Sequence, residues 1–244
     1  MPNPLHWLGY RNINCLRLLR AHHLGVDFEK PYMLDNFDNI IFDLGGVILN
    51  IDPSRTVEAF SAIAGISASE IYQKYSQSTI FDDYEEGKLS SGEFRDGVRD
   101  LLKINCSDAE LDLAWNAMLL NIPQSRIKIL QNLKSKKKIY LLSNTNEIHH
   151  RQIEIIFRQS YGQLFNSLSD IFHQAYFSYH MKDRKPNSSI FQQVIDEQKL
   201  NPQLTLFIDD NQGNIEGAKT TQLQTLYLDK SSELEKLELF IAIS

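Results

Sequence analysis

Short apolar runs without in-and-out alternation recur along the chain, at Ile40-Ile41-Phe42, Ile139 to Leu142 and Leu204 to Ile208. Such runs, rich in β-branched and aromatic residues, predict strands buried on both faces, as in a parallel sheet. Ala175 to Ser178 and Gln224 to Leu228 read as two further short strands. Between the strands the period lengthens to that of helices, at Ile127 to Leu133, Ile148 to Phe157 and Ser188 to Gln198, the last with Asn187 as its expected N-cap. Ser231 to Phe240 reads as a terminal helix. Strand and helix in alternation predict an α/β fold, a parallel sheet joined by right-handed crossovers.

The stretch between the first two strands breaks this rhythm. Asp52-Pro53 is a helix start, with Asp as N-cap and Pro in the first turn. Arg55 to Ile63 follows at helical spacing, and Gly65 is placed to end it. Helical intervals continue through Ile71-Tyr72-Tyr75, Phe94-Val98-Leu101-Leu102 and Leu111-Leu113-Trp115-Met118-Leu119, with a capping pattern at Ser90-Ser91-Gly92-Glu93. An all-helical block of this length exceeds a single crossover helix, so residues 52–124 are expected to be an inserted helical cap that closes near Asn121-Ile122-Pro123. Residues 36–51 and 125–244 then make the α/β core, and residues 1–35 an N-terminal extension outside it. Met33, just ahead of the first strand, is an alternative start for the folded part.

With 244 residues, 42% hydrophobic and 23% charged, the chain has ordinary globular composition and can hold a core plus an insertion. A net charge of −6 offers no basic field for a polyanion, and Lys134 to Lys138 reads as a solvated surface turn, so no nucleic-acid partner is expected. No apolar run approaches a membrane span, so no membrane partner is expected either. The first 32 residues carry Arg11, Arg17 and Arg20 ahead of their first acid but no compact apolar segment with a cleavage site. Cys15 and Cys106 make neither a disulfide framework nor a zinc cluster, and a reducing, cytoplasmic setting fits them best. Oligomeric state is not legible in the chain.

Candidate chemistry collects at the carboxyl ends of the strands, where ligands of open α/β sheets bind. Asp43 follows Phe42 directly, where a charge is hard to explain as core, and Gly45-Gly46 let the backbone turn and approach a ligand closely. The second strand ends in Ser143-Asn144-Thr145-Asn146, and the Leu204 to Ile208 strand ends in Asp209-Asp210. Arg184-Lys185-Pro186 supplies a lysine held in a loop at the same edge, because proline stops a helix from running through the residues before it. Singly, each has an ordinary structural reading: an acid pair as a helix N-cap, Ser-Asn as a turn, a lysine as solvated surface. Their joint order and spacing points to a site.

In that order, F-D-L-G-G-V at Phe42 to Val47, L-L-S-N-T-N at Leu141 to Asn146, R-K-P at Arg184 to Pro186 and I-D-D-N-Q-G-N-I-E-G-A at Ile208 to Ala218 closely resemble the haloacid dehalogenase superfamily. The resemblance is to its phosphatase-like branch, with a helical cap inserted after the first motif. The first motif and the cap stretch Tyr84 to Ser90 look most like those of sugar-phosphate phosphatases, including enzymes acting on glucose 1-phosphate. The resemblance implies a three-layer, Rossmann-like core and an Mg²⁺-dependent hydrolase of small phosphorylated metabolites that works through an aspartyl-phosphate. It makes Asp43 the nucleophile. It gives the metal to Asp43, the Gly45 carbonyl and Asp210, with Asp209 as a direct or supporting partner. Ser143 and Asn144 would bind the phosphate, and Lys185 would balance its charge and keep Asp43 ionised. Such roles suit the chemistry, since phosphoryl transfer is catalysed by positioning and positive charge around a nucleophilic carboxylate.

One position departs from the pattern. Many relatives carry an Asp two residues after the nucleophile as general acid/base, a function worth about 10²–10⁴ in rate, and here it is Gly45. A good leaving group such as an anomeric hydroxyl is expected to need less protonation. Asp52, His149 and His180 lie near in motif order and read as structural. Arg55, Phe81, Tyr84 and Trp115 either face the site or pack the cap, with packing expected. Two other readings stay open. A hydrolytic dehalogenase would also use Asp43 but would leave Asp209-Asp210 superfluous, and a non-catalytic binding or regulatory protein would keep the fold without turnover.

Overall fold

The computed structural model describes residues 34–229 and Leu234, so the expected N-terminal extension and the terminal helix at Ser231 to Phe240 lie, almost entirely, outside the described residues. The chain divides after Asn36, and everything below concerns the unit that begins at Phe37. Among the described residues five strands form its sheet: β1 (Asn39–Phe42), β2 (Lys138–Ser143), β3 (Gln174–Phe177), β4 (Thr205–Asp209) and β5 (Gln224–Tyr227). All neighbours are parallel, in the order β3-β2-β1-β4-β5. The chain builds outward from β1 through β2 to β3, then crosses back to lay β4 and β5 on the other side. The reversal of strand order falls beside β1, where a crevice opens at the carboxyl ends of the strands.

Both faces of this sheet are covered, which is why its strands read as unbroken apolar runs. On one face Ile41, Tyr140, Leu142 and Phe207 share a core with Ile190, Phe191 and Val194 of α9 (Ser188–Gln198) and with Ile215 of α10 (Gln212–Lys219). The residues that alternate with them, Ile40, Phe42, Ile139 and Leu141, are equally buried, and α6 (Gln124–Lys134) packs against β2. Two connecting helices complete the layers, α7 (Glu147–Tyr161) and the short α8 (Ser178–Met181). Asn187 stands at the N-cap of α9 as its sequence suggests, but its side chain makes no capping bond. Its side-chain amide donates instead to Asp183 Oδ1 at 2.8 Å.

Between β1 and α6 lie five helices, α1 (Pro53–Ala64), α2 (Ala68–Ser76), α3 (Ile80–Glu85), α4 (Ser91–Leu102) and α5 (Asp108–Asn116). Asp52 caps α1 by accepting from the Ser54 N–H at 3.1 Å, and Gly65 ends it in the left-handed region at φ 66°. Helices α2, α4 and α5 each open with a Ser/Glu capping box, at Ser67/Glu70, Ser90/Glu93 and Ser107/Glu110. Of these the sequence reading flags the second alone. The block has its own core of rings, with Phe94 stacked on Tyr84 at 4.2 Å and 5.3 Å from Trp115. Helical spacing overstates the buried stripe, because Leu113 is 75% and Tyr72 52% exposed. The segments entering and leaving the block are hydrogen-bonded to each other, Asn50 N–H to the Asn121 carbonyl at 2.9 Å, Leu120 N–H to the Asn50 carbonyl at 3.0 Å and Asp52 N–H to the Met118 carbonyl at 2.9 Å. Among the described residues no helix is long and apolar enough to cross a membrane.

Because Phe94 is fully buried among rings that cannot collapse into its place, Phe94→Ala is expected to cost about 3–5 kcal/mol of stability. Equilibrium urea denaturation measures it, and a cost below about 1 kcal/mol would mean that the aromatic cluster is not the core of this block.

Candidate active site

Parallel register sets the site. Phe42 stands opposite Ile208 of β4 and Leu141 of β2, and the Asp43 N–H donates to the Ile208 carbonyl at 2.9 Å. The first residue beyond β1 and the last of β4, Asp209, therefore leave the sheet side by side, with Ser143 at the end of β2 on the other flank. After Asp43 the chain coils tightly, the Leu44 carbonyl accepting from both Ile48 and Leu49 N–H at 2.8 Å. It is Gly46, at φ 76°, that this turn requires, because a Cβ there would lie 1.8 Å from Asp210 Oδ2. A Cβ on Gly45 would stand 3.2 Å from Ile51 Cδ1, so Ile51 crowds the direction in which a side chain at position 45 would leave the backbone.

Lys185 reaches this point from the loop between α8 and α9. Its side chain is buried, and Nζ donates to Asp43 Oδ1 at 2.5 Å and to Asp209 Oδ2 at 2.8 Å. Asn144 fixes the lysine from behind, its side-chain amide donating to the Lys185 carbonyl at 2.8 Å and its Oδ1 accepting from the Lys185 N–H at 2.9 Å. The side chain of Asn144 is thus committed to the loop, which leaves its backbone N–H as the group for a bound anion. Asp209 accepts from Lys185, from the Asn211 N–H at 2.8 Å and from Asn214 Nδ2 at 3.0 and 3.2 Å. Asn214 was part of the fourth motif without a role. One turn into α10, it holds Asp209 in place.

Asp43, Asp209 and Asp210 bring one carboxylate oxygen each within 4.8 Å of one another. Three carboxyl groups face one ammonium, so the cluster holds more acid than base. Burial pushes the Asp43 carboxyl up to about 7, with Asp209 and Asp210 adding to it and Lys185 opposing. Asp210 is raised to about 6, by burial and by Asp209. Burial alone would lower Lys185, but Asp209 and Asp43 outweigh it and hold the ammonium above the ordinary value. Hard carboxylate oxygens with surplus negative charge are the donor set of a divalent cation. Asp210 presents the oxygens least taken up by the protein, while both oxygens of Asp209 are already engaged.

Of the other residues singled out in the sequence, Asp52 is the cap of α1 and Arg55 pairs with it at 3.5 Å on the surface. His149 stacks on Trp115 at 4.5 Å and bonds Asn146 and the Trp115 carbonyl, burial pushing it down to about 4. His180 packs on the Tyr179 ring. Tyr84 belongs to the block's core, its hydroxyl bonded to Ser91 and to the Ile148 N–H. Phe81 and Trp115 both pack the helices and line a cavity of about 310 Å³ together with Gly45, Ser143 and Asn144. Two residues without an assigned role also come to this place. Glu85 lines the cavity, and Arg184, next to Lys185, donates to Glu85 Oε2 at 2.9 Å and to Asp82 Oδ1 at 2.7 Å.

A buried aspartate beyond the central strand, a lysine bonded to it, a serine at the adjacent strand end and an acid pair on the other side are the four motifs assembled. Comparison with known proteins agrees. The family model for haloacid dehalogenase-like hydrolases matches residues 37–220. The chain is 32% identical over 195 residues, 80% of its length and 93% of the relative's, to a D-ribitol-5-phosphate phosphatase of Bacteroides thetaiotaomicron. It resembles the crystal structure of a wild-type HAD family enzyme from the same organism in complex with magnesium and inorganic phosphate, at TM-score 0.69 and 34% identity, over 78% of this chain and 93% of that one. A HAD-like family hydrolase of Porphyromonas gingivalis matches at TM-score 0.73 and 26% identity, over 83% and 98% of the two chains. With its motifs converging on one strand edge and a family model covering most of its length, the chain belongs to the haloacid dehalogenase-like hydrolases.

Proposed function

We propose that the protein is an Mg²⁺-dependent phosphatase of small phosphorylated metabolites, of the sugar- and polyol-phosphate kind, with Asp43 as nucleophile. The observation that carries this reading is the buried contact of Asp43 with Lys185, set against an acid pair at the point where the strand order reverses. The relative named as a D-ribitol-5-phosphate phosphatase and the similar structure holding magnesium and phosphate support it. Asp43 and Asp210, with the Gly45 carbonyl, are the groups that would hold the cation, and Asp209 supports them while anchoring Lys185. When bound, Mg²⁺ supplies the positive charge that lets a phosphate approach these carboxylates.

The chain's own residues then account for the chemistry. An Asp43 oxygen attacks phosphorus as the ester P–O bond breaks, and the alcohol leaves with that electron pair and a proton from solvent. Water next attacks the aspartyl-phosphate, its P–O bond to Asp43 breaks, and inorganic phosphate leaves with the carboxylate restored. Lys185 holds the attacking carboxylate and offsets charge on the phosphoryl oxygens. Ser143 Oγ makes a single long contact, 3.4 Å to the Asn144 carbonyl, so it can turn to a phosphate oxygen beside the Asn144 N–H. Gly45 offers no acid of its own, and among the described residues Ile51 is what stands within 4 Å of where its side chain would begin. We take the helical block as the cap over this site, and the cytoplasm as its compartment on the two-cysteine composition.

Asp43→Asn, which keeps the shape of the side chain and removes its nucleophilic charge, is expected to lower kcat by at least about 10³-fold on every phosphate ester tested. Phosphate-release assays measure it, and activity that survives the substitution removes Asp43 from its role. The cation is tested separately by thermal melting. Asp43 and Asp210 both have folded values above the ordinary 3.8, so the stability they contribute is full below about pH 4 and is lost as pH rises toward about 7. Mg²⁺ at a hundredfold excess over its Kd should restore about 2.7 kcal/mol at pH 8, a Tm rise of about 5–10 °C. The rise should shrink at pH 5 and vanish in Asp210→Asn. An equal shift in wild type and Asp210→Asn would move the cation elsewhere.

A further inference from the structure

Besides Gly45, Ser143 and Asn144 the cavity is lined from the helical block, where its walls are Phe60, Ile71, Phe81, Leu102 and Trp115. A hydroxylated substrate entering such a space gives up its hydrogen bonds to water, and a hydroxyl left facing an apolar wall goes unpaired. Two of the polar side chains along these walls are already spent on the protein itself. Thr56 donates to the Trp115 carbonyl at 2.9 Å and accepts from the Met118 N–H at 3.2 Å, and both ring nitrogens of His149 are engaged.

Glu85 is different. It is the one residue with a formally charged side chain among those lining the cavity, at the end of α3, and its side chain is 21% exposed. Arg184 occupies its Oε2 at 2.9 Å, and among the described residues no group donates to Oε1. Arg184 in turn is fixed by Asp82 and is the direct chain neighbour of Lys185, whose ammonium touches Asp43. The unclaimed carboxylate oxygen thus belongs to a side chain braced on the same loop that carries Lys185.

We infer that Glu85 determines specificity: its free oxygen accepts a hydroxyl of a phosphorylated polyol or sugar whose phosphate lies at Asp43, while the ring-lined walls pack the substrate's C–H faces. This rests on the phosphatase reading and refines it. An ester with no hydroxyl to offer leaves the carboxylate facing an apolar body, so one residue both favours the hydroxylated substrate and disfavours its apolar analogue.

The test compares two primary alkyl esters, which share a leaving-group chemistry: D-ribitol 5-phosphate, rich in hydroxyls, and n-butyl phosphate, with none. In Glu85→Gln and Glu85→Ala the ratio of kcat/KM for the ribitol ester over the butyl ester is expected to fall by about 10- to 100-fold, the loss of one hydrogen bond to a charged acceptor. The ratio is taken within each variant, so it is independent of how much of the variant folds. Asp96→Asn, which removes a surface carboxylate of α4 paired with Arg99 and outside the Arg184 network, should leave the ratio within about threefold of wild type. A parallel fall on both esters would make Glu85 a mere brace for Arg184 and overturn the inference, as would an unchanged ratio. Wild-type protein inactive on both esters would instead overturn the phosphatase reading, and this inference with it.

Discussion

One buried ammonium governs the site. Lys185 bridges two carboxylates from neighbouring strands, and a charge so enclosed is tolerable only while both partners stay in place. The surrounding polar contacts follow from that need. Asn144 grips the lysine's backbone in both directions, and Asn211 and Asn214 fill the remaining acceptor capacity of Asp209. The short β1 strand, fully buried, sets the level at which Asp43 meets them. Fold and site are thus the same construction, since moving any strand end by one residue would strand a charge in the interior.

The cluster is also unbalanced by design of the fold. A protein optimised for stability alone would not gather three acids around one lysine, and the elevated proton affinities of Asp43 and Asp210 record the strain of doing so. Sites that bind cations and anions in turn commonly carry such a deficit, and the rest of the structure makes up the loss. Here the compensation is visible in the sheet's two apolar faces and in the ring cluster of the helical block.

Much of this was legible in the chain, for reasons that differ by level. The strands of the sheet announce themselves because burial on both faces leaves no room for polar alternation, and Asp43, Ser143 and Asp209 stand out as polar residues where such runs stop. Parallel pairing then obliges those ends to meet. What the sequence hid were contacts whose partner lies far along the chain. Nothing in the chain tells that the Asn144 side chain is spent on Lys185, 41 residues away, or that Glu85 pairs with Arg184, 99 residues away. Gly45 and Gly46 are indistinguishable as letters, and only the backbone shows that the second of them makes room for Asp210. Leu113 follows an apolar pattern yet faces solvent, because spacing fixes which residues share a helix face and says nothing of what that face meets.

The paired segments at Asn50–Asp52 and Met118–Asn121 give the molecule a mechanical character of its own. Two independent tethers would let the five helices tumble loosely above the sheet, whereas a laddered pair behaves as a ribbon that resists shear and yields mainly by twisting about its long axis. Any motion of the whole block against the sheet would thereby be confined to something close to a single pivot, which would keep the same helical wall facing the same strand edge.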